Sequence, residues 1–351
     1  VDFQVGANSY LYGTRFVSYL ALKYGPEKLI AWFRQNNESE SRFSSEFERL
    51  YGVSLDTEWV RWIDWEHQWQ KANLDSIRVN PVTRFRPIAK EGLGSVSRAF
   101  YDSAAGVLYV ALNYPGQSAH LATIDVKTGE IRKLHDVRGG ALFYVTSLAY
   151  DPSSRTLFYT TDNNHERKLC AFDLQTGVSR ILLDKLRAGD LAFNQKDKSL
   201  WGVRHFNGYS TIVRIPFPYN DWQSKYIWDY PKDLFDLDIS PDGSALTGAL
   251  TFINGQQLLI KMDVEKLMKG DGSYDVLFDF AEYAPANFVF SQDGKYLYGN
   301  SYYSGVSNVF RYDVAKKDMS ILTNAESGFF RPVPVSDDSL IVFHFTGKGF
   351  E

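Results

Sequence analysis

The stretch DISPDGSALTGAL, residues 238–250, decides the fold: a strand end, a Ser-Pro-Asp-Gly turn, then a second strand led by Leu246. Asp and Gly are turn formers, one bonding to nearby backbone and the other taking positive φ without steric cost. The same turn-then-strand pattern recurs as FYDSAAGVLYVAL (100–112), AYDPSSRTLFYTT (149–161), AFNQKDKSLWGVR (192–204), VFSQDGKYLYGNS (289–301) and VPVSDDSLIVFHF (333–345). Matching leucines stand at Leu108, Leu157, Leu200, Leu246, Leu297 and Leu340, separated by 49, 43, 46, 51 and 43 residues. A period in the forties, with room for four strands per unit, indicates a mainly β chain: a β-propeller of about six four-stranded blades.

A second landmark keeps step with the first. Asp125, Asp173, Asp263 and Asp313 follow their leucines by 17, 16, 17 and 16 residues, closing a third strand ahead of hairpins such as Lys127-Thr128-Gly129. The third repeat departs, with Pro216 where the Asp would fall. The sixth is short, because eleven residues follow Leu340. Val82-Thr83-Arg84-Phe85 resembles the outermost strands of other repeats and can pair with the last blade to close the ring. One strand is still missing from that blade, and the native chain is expected to continue past Glu351.

Before the repeats the period is different. Residues 8–73 carry apolar side chains at helical spacing: Tyr12, Phe16, Tyr19 and Leu20, then Leu29, Ile30, Trp32 and Phe33, then Phe43, Phe47, Leu50 and Tyr51, then Trp59, Trp62, Ile63 and Trp69. Gly25-Pro26 and Gly52 separate these helices, and Ser54 is placed to cap the fourth. Near Asp75 the period changes, and Pro81, Pro87, Gly92 and Gly94 punctuate a polar connection. The expected organisation is a short N-terminal helical segment (1–75), a linker (76–94) and the propeller (95–351). Four such helices have more apolar surface than they can bury alone, so they read as part of a larger domain.

Composition narrows the function. The 351 residues carry a net charge of −4 with no basic runs, which excludes a nucleic-acid surface, and aromatics reach 16%, which favours sheet. A single cysteine, Cys170, excludes an internal disulfide. No stretch of 18 apolar residues is present, so no transmembrane helix is expected. The chain opens on Val1 rather than Met, which reads as a trimmed or mature product.

The SPDG turn at 240–243 and the SQDG turn at 291–294 resemble the TolB-like, WD-repeat-like propellers of bacterial periplasmic and secreted proteins, over about residues 80–351. That resemblance implies a periplasmic or secreted setting and a docking surface or gate beside an enzyme. The segment YLYGTRFVSYLALKYGPEKLIAWF, with FERLYGVSLDTEWVRW after it, resembles the end of the catalytic domain in gluzincin zinc peptidases. This second resemblance implies zinc in a longer protein, bound by an HExxH motif upstream of this chain. It also marks Tyr10, three residues before Gly13, as a candidate oxyanion stabiliser; the alternative is an ordinary tyrosine on an amphipathic helix. His165-Glu166 begins no HExxH motif, no GxSxG nucleophile turn occurs, and no complete catalytic set is present. The chain by itself is therefore expected not to hydrolyse peptides.

In a propeller, the hairpins between second and third strands share a face with the blade-to-blade connections and surround one mouth of the channel. His120, His165, His205 and His344 fall in or beside these hairpins. The expected role is capture of a protein or peptide at that mouth, with Arg204, His205, Phe206, Tyr302, Tyr303, His120, His165 and His344 as binding residues. The competing readings are that polar loops gather histidines without purpose, or that the chain is the C-terminal part of a zinc metallopeptidase. No metal site is expected from histidines so spaced, and Asp242-Gly243 and Asp293-Gly294 read as turn formers rather than calcium loops.

Overall fold

The structure, a computed structural model, describes residues 3–138, 146–161, 167–336 and 338–351. It divides into two compact units, Val1–Pro81 and Val82–Glu351. The first holds α1 (Phe3–Tyr24), α2 (Pro26–Phe33), α3 (Phe43–Tyr51) and α4 (Leu55–Ile77). Their ends follow local chemistry. Gly25, at φ 88°, separates α1 from the Pro26 that starts α2, and Gly52 closes α3 at φ 72°, in the left-handed region. Ser54 opens α4 by accepting the Thr57 N–H at 3.2 Å.

Phe16, Leu20, Trp32, Phe47 and Trp62 form the buried centre of this unit. Glu58 is buried among them and accepts hydrogen bonds from Tyr19 (2.8 Å), Lys23 (2.6 Å) and Arg61 (3.2 Å). Burial pushes its carboxyl up, but the bonds from Lys23 and Tyr19 outweigh that and hold it below the usual carboxylate range.

The second unit is a ring of six antiparallel blades, each running from its innermost strand outward. Blade one comprises β1 (Ser95–Val96) and β2 (Phe100–Asp102), which share the innermost position, then β3 (Val107–Asn113), β4 (His120–Asp125) and β5 (Ile131–Asp136). Blade two is β6 (Leu148–Asp151), β7 (Thr156–Thr160), β8 (Leu169–Asp173) and β9 (Ser179–Leu183). Blade three is β10 (Ala188–Asn194), β11 (Ser199–Phe206), β12 (Tyr209–Ile215) and β13 (Gln223–Ile227). Blade four is β14 (Asp233–Ile239), β15 (Ala245–Thr251), β16 (Gln257–Asp263) and, after the short helix α5 (Val264–Met268), β17 (Tyr274–Asp279). Blade five is β18 (Ala286–Phe290), β19 (Tyr296–Ser301), β20 (Asn308–Asp313) and β21 (Asp318–Ile321). Blade six has β22 (Phe329–Ser336), β23 (Ser339–Thr346) and the two-residue β24 (Gly349–Phe350).

The repeat landmarks hold this ring together. Leu108, Leu157, Leu200, Leu246 and Leu297 are buried in the seams between blades, while Leu340 in the short blade is half-buried. Every seam has its own apolar cluster, from Leu148 and Tyr109 between blades one and two to Val110 and Phe343 between six and one. The landmark Asp residues tie turns: Asp125 accepts the N–H groups of Lys127 (2.9 Å) and Thr128 (2.7 Å), with Asp173 and Asp313 doing the same in their blades. Asp263 differs, capping α5 through the Lys266 N–H at 2.8 Å instead of closing a hairpin.

Closure of the ring is made by residues just ahead of β1. The Leu93 N–H donates to the Phe350 carbonyl at 2.6 Å and the Phe350 N–H to Gly94 at 3.1 Å, so Leu93–Gly94 flank β24. Val82–Phe85 lies elsewhere: Thr83 exchanges hydrogen bonds with Asn324 in the connection before blade six, and Phe85 packs edge-on against Phe329.

Candidate functional site

The innermost strands share one irregularity. In five blades the pairing with the second strand slips by one residue at the same place, between Gly189 and Ala192, Phe235 and Asp238, Ala286 and Val289, Phe330 and Val333, and, in blade one, Val96 and Phe100. In blade two Ser147 stands at the equivalent position, next to Thr146, whose Oγ1 accepts the Thr160 N–H at 2.9 Å. Such a bulge bends the strand and re-aims a side chain. The residues at this position are Arg98, Ser147, Asp190, Asp236, Asn287 and Arg331, one per blade, and all six line a central cavity of about 510 Å³.

Local sequence explains the bulge in blades three to five. Asp190, Asp236 and Asn287 sit at φ 50°, 53° and 52°, a region that Asp and Asn tolerate better than most residues. The next side chain then tucks beneath the strand, where the neighbouring strand supplies a glycine. A Cβ on Gly299 would fall 2.2 Å from the Phe288 ring, and one on Gly248 would lie 3.1 Å from Leu237.

Charge is distributed unevenly around this ring. The acids Asp190 and Asp236 are on blades three and four; the bases Arg331 and Arg98 are on blades six and one, directly opposite. Asp190 accepts the Asp236 N–H at 3.2 Å, and Asp236 accepts the Asn287 N–H at 3.0 Å, so each acid also pins the next blade. Arg98 crosses the channel to donate to Leu237 O at 3.1 Å and to the Asp238 carboxylate. The cavity lining reaches no further along the inner strands than Val289, the register equivalent of Asp238, so the Arg98 crossing forms its floor. Burial, and then the neighbouring Asp236 carboxylate, push the Asp190 carboxyl up to about 7, against the pull of the Asp236 N–H, Arg167 and Arg331. Burial likewise lowers Arg331, partly offset by the two acids.

The other mouth residues are spread over several blades. Arg204 lies over the Phe206 ring at 4.5 Å and near Trp222 at 5.2 Å, and Arg187 covers the same Phe206 ring at 5.1 Å. Tyr302 and Tyr303, on the blade-five hairpin, are 51% and 43% exposed, with Tyr302 edge-on to Phe330 and Tyr303 edge-on to Tyr283. Among the described residues, the histidines do not gather at the channel. His120 is buried with Nδ1 2.8 Å from Ser118 O. His205 stacks on Phe235 beside Asp233, and burial lowers its pKa. His344 is packed on Phe85 and held by Ser327 and Glu351. His165 lies outside the described residues. Tyr10 is 81% exposed on α1.

Among the described residues, no group of three or more His, Cys, Asp or Glu is arranged to hold a metal ion, and no helix is long and apolar enough to cross a membrane. The ring residues escaped the sequence reading, although a signal exists: each stands ten residues before its repeat leucine, nine in the last blade.

No protein-family model matches the chain, and a search among curated proteins returns no relative. Solved structures do resemble it. A TolB-type protein from Agrobacterium tumefaciens is 13% identical over 67% of this chain and 86% of its own, with a TM-score of 0.52. A chain of the nidogen/laminin complex is 14% identical over 65% and 79%, with a TM-score of 0.50. TolB from Acinetobacter baumannii is 17% identical over 73% of this chain at a TM-score of 0.49, and the match spans 62% of that protein's length. In fold, the second unit is a TolB-like propeller of six blades.

Proposed function

We propose that this propeller is a non-catalytic module, part of a larger secreted or periplasmic protein, that captures an extended peptide segment of a partner on one face. One observation carries this reading. The face bearing the second-to-third-strand hairpins and the blade connections exposes Phe206, Tyr209, Tyr230, Tyr283, Tyr302 and Tyr303 around the channel mouth. On the opposite face, Phe217 is the exposed aromatic side chain among the described residues, and the turns there are built from Asp, Ser, Lys and Gly. Tyrosine anchors present large contact area at low entropic cost, and tyrosine and arginine are enriched among the residues that dominate binding energy at interfaces. A protein complex among the structures of similar fold agrees with this role.

Selection of phage-displayed dodecapeptides on the immobilised protein tests it. Selected peptides are expected to bind Arg204→Ala and Tyr302→Ala at least tenfold more weakly than wild type, the scale of a hot-spot truncation. Peptides that bind both variants as well as wild type would move the site to another surface.

A further inference from the structure

The cavity beneath the aromatic face has features that peptide capture on the loops does not use. Among the described residues, it is closed at one end by the Arg98 crossing and open toward the hairpins, where Thr146, Arg167 and Gly189 line it. Its volume, about 510 Å³, is that of a small-ligand site. Its walls are polarised. The two carboxylates of Asp190 and Asp236 are adjacent, and across from them stands Arg331, held by its backbone N–H on Asn300 Oδ1 at 3.0 Å. Arg331 itself occupies the left-handed region at φ 49°, strained backbone of the kind that persists where surrounding structure fixes it. Asp238 is already matched by Arg98 and by the Phe290 N–H at 2.7 Å. The charge that remains facing the cavity is an acidic side, with Arg167 at its rim beside Asp190, and the basic Arg331 on the other side, separated by Ser147 and Asn287 on the remaining two blades.

We propose that this cup binds the free ammonium and free carboxylate of a short unblocked peptide, the ammonium between Asp190 and Asp236 and the carboxylate on Arg331. The proposal goes beyond the peptide-binding reading of the loop face and stands or falls separately from it. A lone cation would face the Arg331 charge across the cup, and a lone anion would meet two carboxylates. A di- or tripeptide, at most about 11 Å long when extended, satisfies both walls. Both contacts are charge-assisted hydrogen bonds made inside a recess, where they are stronger than at an open surface.

Isothermal titration with trialanine, N-acetyl-trialanine, trialanine amide and the doubly blocked peptide tests this directly. Trialanine is expected to bind, with each single block lowering affinity at least tenfold. The variants separate the two ends: Asp190→Asn, which keeps an acceptor for the Asp236 N–H, should weaken trialanine but leave N-acetyl-trialanine unchanged. Arg331→Gln should weaken trialanine but leave trialanine amide unchanged. A further readout needs no variant. Binding of the ammonium at pH 7 should release a fraction of a proton from Asp190, seen as a buffer-dependent enthalpy that N-acetyl-trialanine lacks. Equal affinity for the blocked and unblocked peptides, or no binding of any, would overturn the proposal. If phage-selected peptides still bind the loops while trialanine does not enter, the cup assignment alone fails. If trialanine binds and no phage peptide depends on the loop face, the larger reading fails and the cup stands.

Discussion

Arg98 on the first blade reaches across the channel to Asp238 on the fourth, so one side chain ties together strands 140 residues apart. Asp238 in turn accepts the Phe290 N–H of the fifth blade. Breaking such a pair leaves a desolvated charge behind, which costs more than the pair contributes. Asp238→Ala is expected to destabilise the propeller by about 2 kcal/mol, discounted because Arg98 retains some solvent contact. Arg98→Met with Asp238→Leu should cost less than Asp238→Ala alone. Urea unfolding of the single and double variants checks the order.

The raised Asp190 carboxyl makes a pH prediction. A carboxyl titrating near 7 in the fold and near 4 when unfolded binds more protons in the native state between those values. Its contribution therefore falls as pH rises from about 4 to 7 and is constant above that. Asp190→Asn removes the effect, so the variant should gain at least about 1 kcal/mol relative to wild type at pH 8 compared with pH 5. Guanidinium unfolding of both proteins at the two pH values measures this difference. Equal gaps would mean that Asp190 ionises normally.

In the helical unit the sign is reversed. Glu58 is fully buried and held ionised by Lys23, Tyr19 and Arg61, so its stabilisation is present above the unfolded carboxylate range and is lost as pH falls through the lower folded value. Glu58→Ala should destabilise this unit by about 2 to 3 kcal/mol, held below the cost of a fully buried pair because Lys23 can regain water. Five of the eight tryptophans lie in this unit, so tryptophan fluorescence during unfolding reports on it.

Ring closure depends on a close approach at Gly94. A Cβ there would lie 2.4 Å from the Asn113 carbonyl, on backbone at φ 71°. Gly94→Ala is expected to cost about 2 kcal/mol or more and to raise hydrogen exchange in β22 and β23 before other blades. Uniform exchange across the ring would place the closure elsewhere.

The parts of this architecture that repeat were legible in the sequence, and the parts that do not repeat were hidden. Leu157, Leu200 and Leu246 announce their strands because burial in a seam demands the same residue type in each blade. Ser54 and Gly52 marked helix ends because caps have few chemical solutions. The channel ring was invisible for the opposite reason. Arg98, Ser147, Asp190, Asp236, Asn287 and Arg331 share a position but differ in chemistry, so the constant offset from the leucines carries no constant letter. Closure by Leu93–Gly94 was missed because two residues of extended chain have no period, whereas Val82–Phe85 looked like a strand. Arg204, Phe206, Tyr302 and Tyr303 could be placed in or beside the hairpins from loop position alone, while the packing of His120, His205 and His344 depends on contacts that loop position does not show.

Hydrogen–deuterium exchange with a phage-selected peptide bound tests the central claim most directly. Protection confined to the hairpins at 114–119, 206–209, 253–256 and 302–307 and the blade connections at 228–232 and 280–285, with the turns at 125–129, 173–177 and 313–317 unchanged, is the predicted result. Protection of those turns in place of the hairpins would contradict the assignment of the aromatic face as the binding surface.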